Sequence, residues 1–128
     1  EGRRRRCQEV RCVMDEHVVK AVGRYIRMTP RKVRVVADTI RRKPVDEAVT
    51  ILSFIPRRAM TPVKKVLNAA IDAAKNAGNF DLDRLVVKEI YVDQGPTQKR
   101  GKPGGRGMSM RINKFSSHLT VVLGEQER

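Results

Sequence analysis

Apolar residues recur at helical spacing in three segments of the first part of the chain. In the first segment, positions i, i+3, i+4 and i+7 are apolar and fall on one helical face: Val33, Val36, Ala37 and Ile40. This helix is predicted to begin at Thr29-Pro30, because threonine can cap free amides and proline at the first helical position gives up no hydrogen bond. The same spacing predicts a second helix over about 45–54 and a third over about 57–77.

Three other segments have the pattern of strands. They lie at 18–28, 82–93 and 117–123 and are rich in β-branched residues. The stretch between the last two is rich in glycine and basic residues and has almost no core-forming pattern. If the strands continue through it, they form a hairpin over about 84–123 with its tip at about 99–106, reaching roughly 40 Å beyond Tyr91. So long a hairpin with so few apolar residues is not stable alone in water, and it therefore requires a partner.

Together these elements predict an α+β fold, in which three helices pack on a small antiparallel sheet and a long extended β-hairpin arm projects from it. A chain of 128 residues is long enough for one core and too short for two. We expect a single domain over 18–128. Residues 1–17 contain four consecutive arginines and are predicted to be a basic flexible N-terminal tail.

Charge narrows the range of partners. Twenty-eight Lys and Arg against 14 Asp and Glu give a net charge of +14, which favours a polyanionic partner. No apolar stretch approaches the length of a membrane span, so nucleic acid is favoured over a membrane. Aromatic residues make up only 4% of the chain, which argues against a protein that reads single-stranded bases by stacking.

Motifs that could suggest an enzyme or a metal site are weak. Ser116-Ser117-His118 has no nucleophile-elbow pattern around it, and the glycine-rich segment 101–107 is not followed by the Lys-Ser/Thr of a phosphate-binding loop. Cys7 and Cys12 do not complete a zinc site with His17 and His118 at known spacings. We therefore predict no catalytic residues, no metal, no cofactor and no small-molecule substrate.

Two clusters of basic residues are predicted to contact RNA. The first, Thr29-Pro30-Arg31-Lys32-Val33-Arg34, places cations in the first turn of a helix, where free amides also favour phosphate. The second spans 99–114, which contains six basic residues and no acidic one. Glycines at the tip of a hairpin permit close approach of its backbone to a partner.

Four segments of the chain form a characteristic series: TPRKVRVVADTIRRKPVDEAVTIL, VLNAAIDAAKNAG, VKEIYVDQGPTQKR and SSHLTVVL. In order and spacing they resemble the universal large-subunit ribosomal protein number twenty-two, and the resemblance covers about 18–123. It implies a domain on the outer surface of the large subunit and a hairpin that runs inward through rRNA to line the nascent-peptide tunnel. It also implies a role in assembly, with large-subunit rRNA, neighbouring ribosomal proteins and the nascent polypeptide as partners.

The resemblance assigns residues to these roles. The tunnel-lining tip corresponds to Gly101, Lys102, Pro103, Gly104 and Gly105. The predicted rRNA-binding residues are Arg24, Arg27, Thr29, Arg31, Lys32, Arg34, Lys99, Arg100, Lys102, Arg106, Arg111, Lys114, Ser117 and His118.

Some positions depart from the family pattern. Gly104-Gly105, Met108 and the run from Lys114 to His118 replace more basic sequences, which indicates altered phosphate contacts at the tip. Together with the Arg-rich leader, these departures suggest an organellar ribosome; the chloroplast stroma is the predicted location and the bacterial cytoplasm the alternative. The competing function is a basic architectural DNA-binding protein using 29–54 as a helix-turn-helix, which would leave the glycine-rich basic hairpin unexplained.

Overall fold

A computed structural model of the chain describes residues 10–15, 18–78 and 80–125, the first segment for its backbone only. The strands are β1 (Val10–Asp15), β2 (Val18–Ile26), β3 (Leu85–Gln94), β4 (Gln98–Pro103), β5 (Ser109–Lys114) and β6 (Ser117–Glu125). The helices are α1 (Pro30–Ile40), α2 (Val45–Phe54) and α3 (Met60–Ala77). Short 3-10 turns occupy Leu82–Arg84 and Gly105–Gly107.

A four-stranded antiparallel sheet in the order β1-β2-β6-β3 forms the body of the domain. The three helices pack on it through the apolar residues predicted from helical spacing, and Val33, Val36, Ala37 and Ile40 are all buried. Leu119, Val121 and Leu123 of β6 are fully buried in the same core. The predicted α+β class is confirmed.

The start of α1 differs in one detail from the prediction. Thr29 is the N-cap and Pro30 the first helical residue, but the Thr29 side chain makes no capping hydrogen bond. Its carbonyl oxygen instead accepts hydrogen bonds from the amides of Lys32 and Val33, at 3.1 and 3.4 Å. The expected side-chain cap is therefore wrong, and the main chain opens the helix.

The outer edge of β3 is covered by residues of α1 and of the segment that follows it. Arg34 donates to the Val92 carbonyl oxygen from Nε and Nη2, at 3.2 and 2.8 Å. The Arg42 amide donates to the Val87 carbonyl oxygen at 3.0 Å. These contacts occupy hydrogen-bonding groups that an open edge strand would offer to another chain.

The hairpin continues beyond the sheet as a second, two-stranded ribbon. We call residues 98–114, which comprise β4, the turn and β5, the distal arm. Both strands are interrupted at the junction, where the Gly95 amide donates to the Ser116 carbonyl oxygen at 2.9 Å and Ser116 Oγ donates to the Pro96 carbonyl oxygen at 2.7 Å. A Cβ on Gly95 would lie 2.6 Å from Ser116 Oγ and 3.1 Å from His118 Nε2, so a side chain at this position would force these groups to move.

The turn at the end of the distal arm lies further along the chain than predicted. Pro103 pairs with Ser109, and the Gly104 amide donates to the Met108 carbonyl oxygen at 2.7 Å. Arg106 and Gly107 have φ angles of 58° and 73°, the left-handed values that reverse the chain. The turn is therefore 104–108, whereas the predicted tip at 99–106 includes residues 99–103, which belong to β4.

Part of the predicted N-terminal tail is a strand. β1 pairs with β2 from Val10↔Gly23 to Asp15↔Val18, although a flexible tail was predicted over 1–17. Its backbone can pair because the neighbouring edge of β2 is otherwise open. The rest of that predicted tail lies outside the described residues.

Candidate nucleic-acid interface

The distal arm carries cations on both faces. Residues directly opposite each other in an antiparallel pair share a face. The register therefore puts Arg100, Lys102 and Lys114 on one face and Lys99 and Arg111 on the other, while Arg106 lies in the turn. Such a ribbon can meet phosphates on two sides at once.

These cations are available for a partner. All six are exposed, and every residue of β4 and β5 except the half-buried Ile112 is exposed as well. The ion pairs in the described part of the chain are Arg41–Asp38 and Arg84–Asp81, both on the domain. The Arg100 side chain bonds only to groups of the distal arm itself, the Lys99 carbonyl oxygen and Gln98 Oε1, each at 3.0 Å.

A second cationic surface lies at the root of the distal arm. There an open cleft of about 1130 Å³, which we call the basal cleft, lies between the end of β2, the start of α1, the α2–α3 loop and the bases of β4 and β5. Five basic residues line it, one from the β2–α1 connection, one from α1, two from the α2–α3 loop and one from β5: Arg27, Lys32, Arg57, Arg58 and Lys114. Among the described residues that line it none is acidic. Like charges held together in this way favour an anionic occupant.

The sequence pattern did not mark Arg57 and Arg58 as site residues. Helical periodicity assigned them to the third helix, but α3 begins at Met60 and both arginines lie exposed in the preceding loop. The Arg57 amide donates to the Ile55 carbonyl oxygen at 2.8 Å, which helps to hold the loop. The sequence does contain a feature that could have identified them. Arg57 and Arg58 directly follow Pro56 at a boundary between helices, just as the cations of the cluster that begins at Thr29 follow a proline at the start of a helix.

The structure brings together only some of the predicted RNA-binding residues. Arg27, Thr29, Lys32 and Lys114 line the basal cleft. Arg24 and Arg31 are exposed but lie outside the described lining of that cleft. Arg34 is also exposed, yet its guanidinium is engaged by the Val92 carbonyl oxygen, so its first role is to dock α1 on β3.

His118 is held by the main chain of a neighbouring strand. Its Nδ1 accepts a hydrogen bond from the Tyr25 amide at 3.1 Å, so the proton of the neutral ring lies on Nε2. The Tyr25 and His118 rings meet edge to face, with centroids 5.0 Å apart. The half-buried His118 therefore orients Tyr25 through both its ring nitrogen and the edge-to-face contact of its ring.

Ser117 is not accessible to RNA. Its side chain is completely buried, and Oγ has no hydrogen-bond partner among the described protein groups. The Ser117 side chain therefore offers no accessible atom to RNA in this fold, and the predicted contact stays a prediction. Ser117 is buried because the alternation of β6 places it on the same side of the strand as the core residues Leu119 and Val121.

We expect Ser117→Ala to leave RNA affinity unchanged. Removing a buried hydroxyl that has no protein partner should leave the free energy of unfolding unchanged or raise it by about 1 kcal/mol. Urea unfolding and RNA titration of the same preparation measure both quantities. A loss of RNA affinity at unchanged stability would contradict the buried placement of Ser117. The same two measurements on His118→Ala give the comparison with a neighbouring residue that is only half-buried.

The described residues offer little for other kinds of site. Over these residues no group of three His, Cys, Asp or Glu side chains is placed to hold a metal ion. None of the described helices has the length and apolar character needed to cross a membrane. Exposed cations are the dominant surface chemistry of the part that the structure describes.

Comparisons with a family profile and with individual proteins both lead to the same ribosomal protein family. The sequence profile of the family described as ribosomal protein L22p/L17e matches residues 21–124. The large ribosomal subunit protein uL22 of Desulfitobacterium hafniense (strain DSM 10664 / DCB-2) is 52% identical over 108 residues, covering 84% of this chain and 95% of the relative. The protein of the same name from Clostridium tetani is 48% identical over 108 residues, covering 84% and 97%.

The matched region includes most of β2, all three helices and both cationic surfaces. The organisms of these relatives are bacterial, and they lend no support to the predicted chloroplast location. The chain therefore belongs to the ribosomal protein L22p/L17e family, whose members are structural proteins rather than enzymes, as the sequence predicted.

Proposed function

We propose that this protein is a structural constituent of the large ribosomal subunit that binds large-subunit rRNA through the distal arm and the basal cleft. The observation that carries the proposal is a ribbon with six cations, on both faces and in its turn, that contributes no residue to the hydrophobic core. A two-stranded ribbon of this kind gains little stability from itself. Folded RNA supplies contacts and counter-charge on both sides.

The protein binds rRNA mainly through electrostatic contacts and acts by holding RNA segments in place. Each phosphate neutralised by a lysine or arginine releases condensed counterions, which makes affinity strongly dependent on salt. The distal arm loses conformational freedom on binding, and its phosphate contacts offset that entropy cost. A protein held both at the basal cleft and along the arm fastens distant RNA segments together, which aids assembly of the subunit.

We further propose that the end of the distal arm lines the nascent-peptide tunnel. Of the five predicted tip residues, Gly104 and Gly105 belong to the turn, and Gly101, Lys102 and Pro103 lead into it on β4. The three glycines of the turn, Gly104, Gly105 and Gly107, present backbone and allow close approach of other chains. The partners are then rRNA, neighbouring ribosomal proteins and the nascent polypeptide. The bacterial relatives favour the bacterial cytoplasm as the location.

Filter binding against large-subunit rRNA and duplex DNA over a range of salt tests this proposal. We expect tighter binding to rRNA and a steep decrease of affinity with salt. Equal or tighter binding to duplex DNA would instead favour an architectural DNA-binding protein.

The loop arginines give a sharper test of the basal cleft. We expect Arg57→Gln with Arg58→Gln to lower rRNA affinity and to flatten the salt slope by about 1.4 to 1.8, because two phosphate contacts are lost. Lys64→Gln with Lys65→Gln is the matched control, since it removes the same charge from α3 outside the described lining of the cleft. Equal effects of the two pairs would mean that only net charge matters.

A further inference from the structure

One residue of the basal cleft is held in a strained conformation. Tyr25 has a φ of 55°, a left-handed value that a bulky residue rarely adopts. It lies where the register of β2 against β6 shifts between Gly23 and Ile26, the signature of a β-bulge. Such strain persists only where the surroundings enforce it, and it concentrates at functional sites.

The strain serves to present the Tyr25 ring to the cleft. An undistorted strand would continue its alternation between core and outer face, whereas the bulge leaves the Tyr25 side chain 55% exposed on the cleft wall. The hydrogen bond from its amide to His118 Nδ1 fixes the backbone, and the edge-to-face contact with the His118 ring fixes the side chain. The ring is thus ordered before any partner arrives.

The surroundings of the ring suit a nucleotide. Phe115, 42% exposed, lines the same cleft, so two of the five aromatic residues of the chain are gathered there. Arg27, Arg57 and Arg58 lie on the walls among the cations. Unpaired bases bind proteins by stacking on exposed aromatic rings while their phosphates are held by cations.

We infer that the basal cleft receives an unpaired nucleotide of RNA, whose base stacks on Tyr25 while the flanking phosphates contact the cleft cations. This inference rests on the proposed RNA-binding function and deepens it, because it assigns a single-stranded element to one of the two cationic surfaces. It departs from the expectation that so few aromatic residues argue against base stacking, because the fold places two of the five in one cleft.

The fluorescence of tyrosine can report this contact directly. The chain has two tyrosines and no tryptophan, so Tyr91→Phe leaves Tyr25 as the only tyrosine. The probes are a single-stranded oligouridylate of about eight nucleotides and an abasic oligoribonucleotide with the same number of phosphates. We expect the oligouridylate to quench Tyr25 and the abasic chain to leave its emission unchanged. Tyr25→Phe, which retains only Tyr91, corrects for absorption by the bases.

Affinity gives a second readout. We expect Tyr25→Leu to weaken binding of the oligouridylate at least about fivefold, because a stacked base is lost, and to leave binding of the abasic chain unchanged. Tyr25→Phe keeps the ring and should retain the affinity. Tyr91→Leu is the matched control, because Tyr91 is 44% exposed and lies outside the described lining of the cleft.

The result that overturns the inference is equal affinity for the two probes in the unsubstituted chain, or an unchanged oligouridylate affinity in Tyr25→Leu. Circular dichroism of each variant checks that it is folded. If stacking fails while rRNA is still preferred over duplex DNA with a steep salt slope, the proposed function stands and only this inference falls. If the rRNA preference is absent as well, the proposed function falls with it.

Discussion

Replacing the six cations of the distal arm by glutamine should reduce the salt slope of rRNA binding by about four to five units, because each phosphate contact contributes roughly 0.7 to 0.9. The affected residues are Lys99, Arg100, Lys102, Arg106, Arg111 and Lys114. Filter binding at several salt concentrations measures the slope. At low salt the affinity should fall by orders of magnitude, and the two proteins should converge as salt rises.

The fold should not be affected by this change. Side chains of the distal arm contribute nothing to the hydrophobic core, so the free energy of unfolding should stay within about 0.5 kcal/mol of the starting value. The matched control removes the same charge from the domain by glutamine substitution of Lys20, Lys64, Lys65, Lys75, Arg84 and Lys88. An equal loss of slope in the control would show that the distal arm has no special role.

Leu119→Ala should lower the free energy of unfolding by about 2 to 5 kcal/mol, because it deletes buried methyl groups and leaves a cavity. Leu119 is fully buried in β6, the strand that pairs with both β2 and β3. For a domain of this size that is a large part of a total of about 5 to 15 kcal/mol. Urea unfolding followed by circular dichroism measures the change.

Leu82→Ala is the control for this prediction. Leu82 is the same residue type but is 43% exposed in a 3-10 turn, so its loss should change stability by no more than about 0.5 kcal/mol. Similar losses at the two positions would contradict the central place of Leu119 in the core.

The two predictions separate folding from binding. Leu119→Ala should lower the free energy of unfolding, but its folded fraction should bind rRNA with the salt slope of the unsubstituted chain. The arm substitutions should reduce the salt slope and leave the free energy of unfolding unchanged. This separation follows from the structure, in which the hydrophobic core and the distal arm share no residues.

The amino-acid sequence determined the helices and the general class of the fold. The apolar residues on one face of α1, from Val33 to Ile40, predicted its buried side, and Thr29-Pro30 predicted its start. Such local patterns are readable because helical spacing is set within a few residues of chain. The net charge of +14 and the acid-free segment over 99–114 likewise indicated a polyanionic partner without any tertiary information.

Only the tertiary structure decided which residues share a site. Arg57 and Arg58 join Arg27 and Lys114 at the basal cleft because α3 begins at Met60 and the junction at Gly95 brings the arm to the same place. Ser117 was carried into the core, and Tyr25 was turned outward by a bulge. These outcomes depend on contacts between segments far apart in sequence, so local spacing carries no record of them. The amino-acid composition thus predicted a polyanionic partner, and tertiary packing determined which cations share a surface.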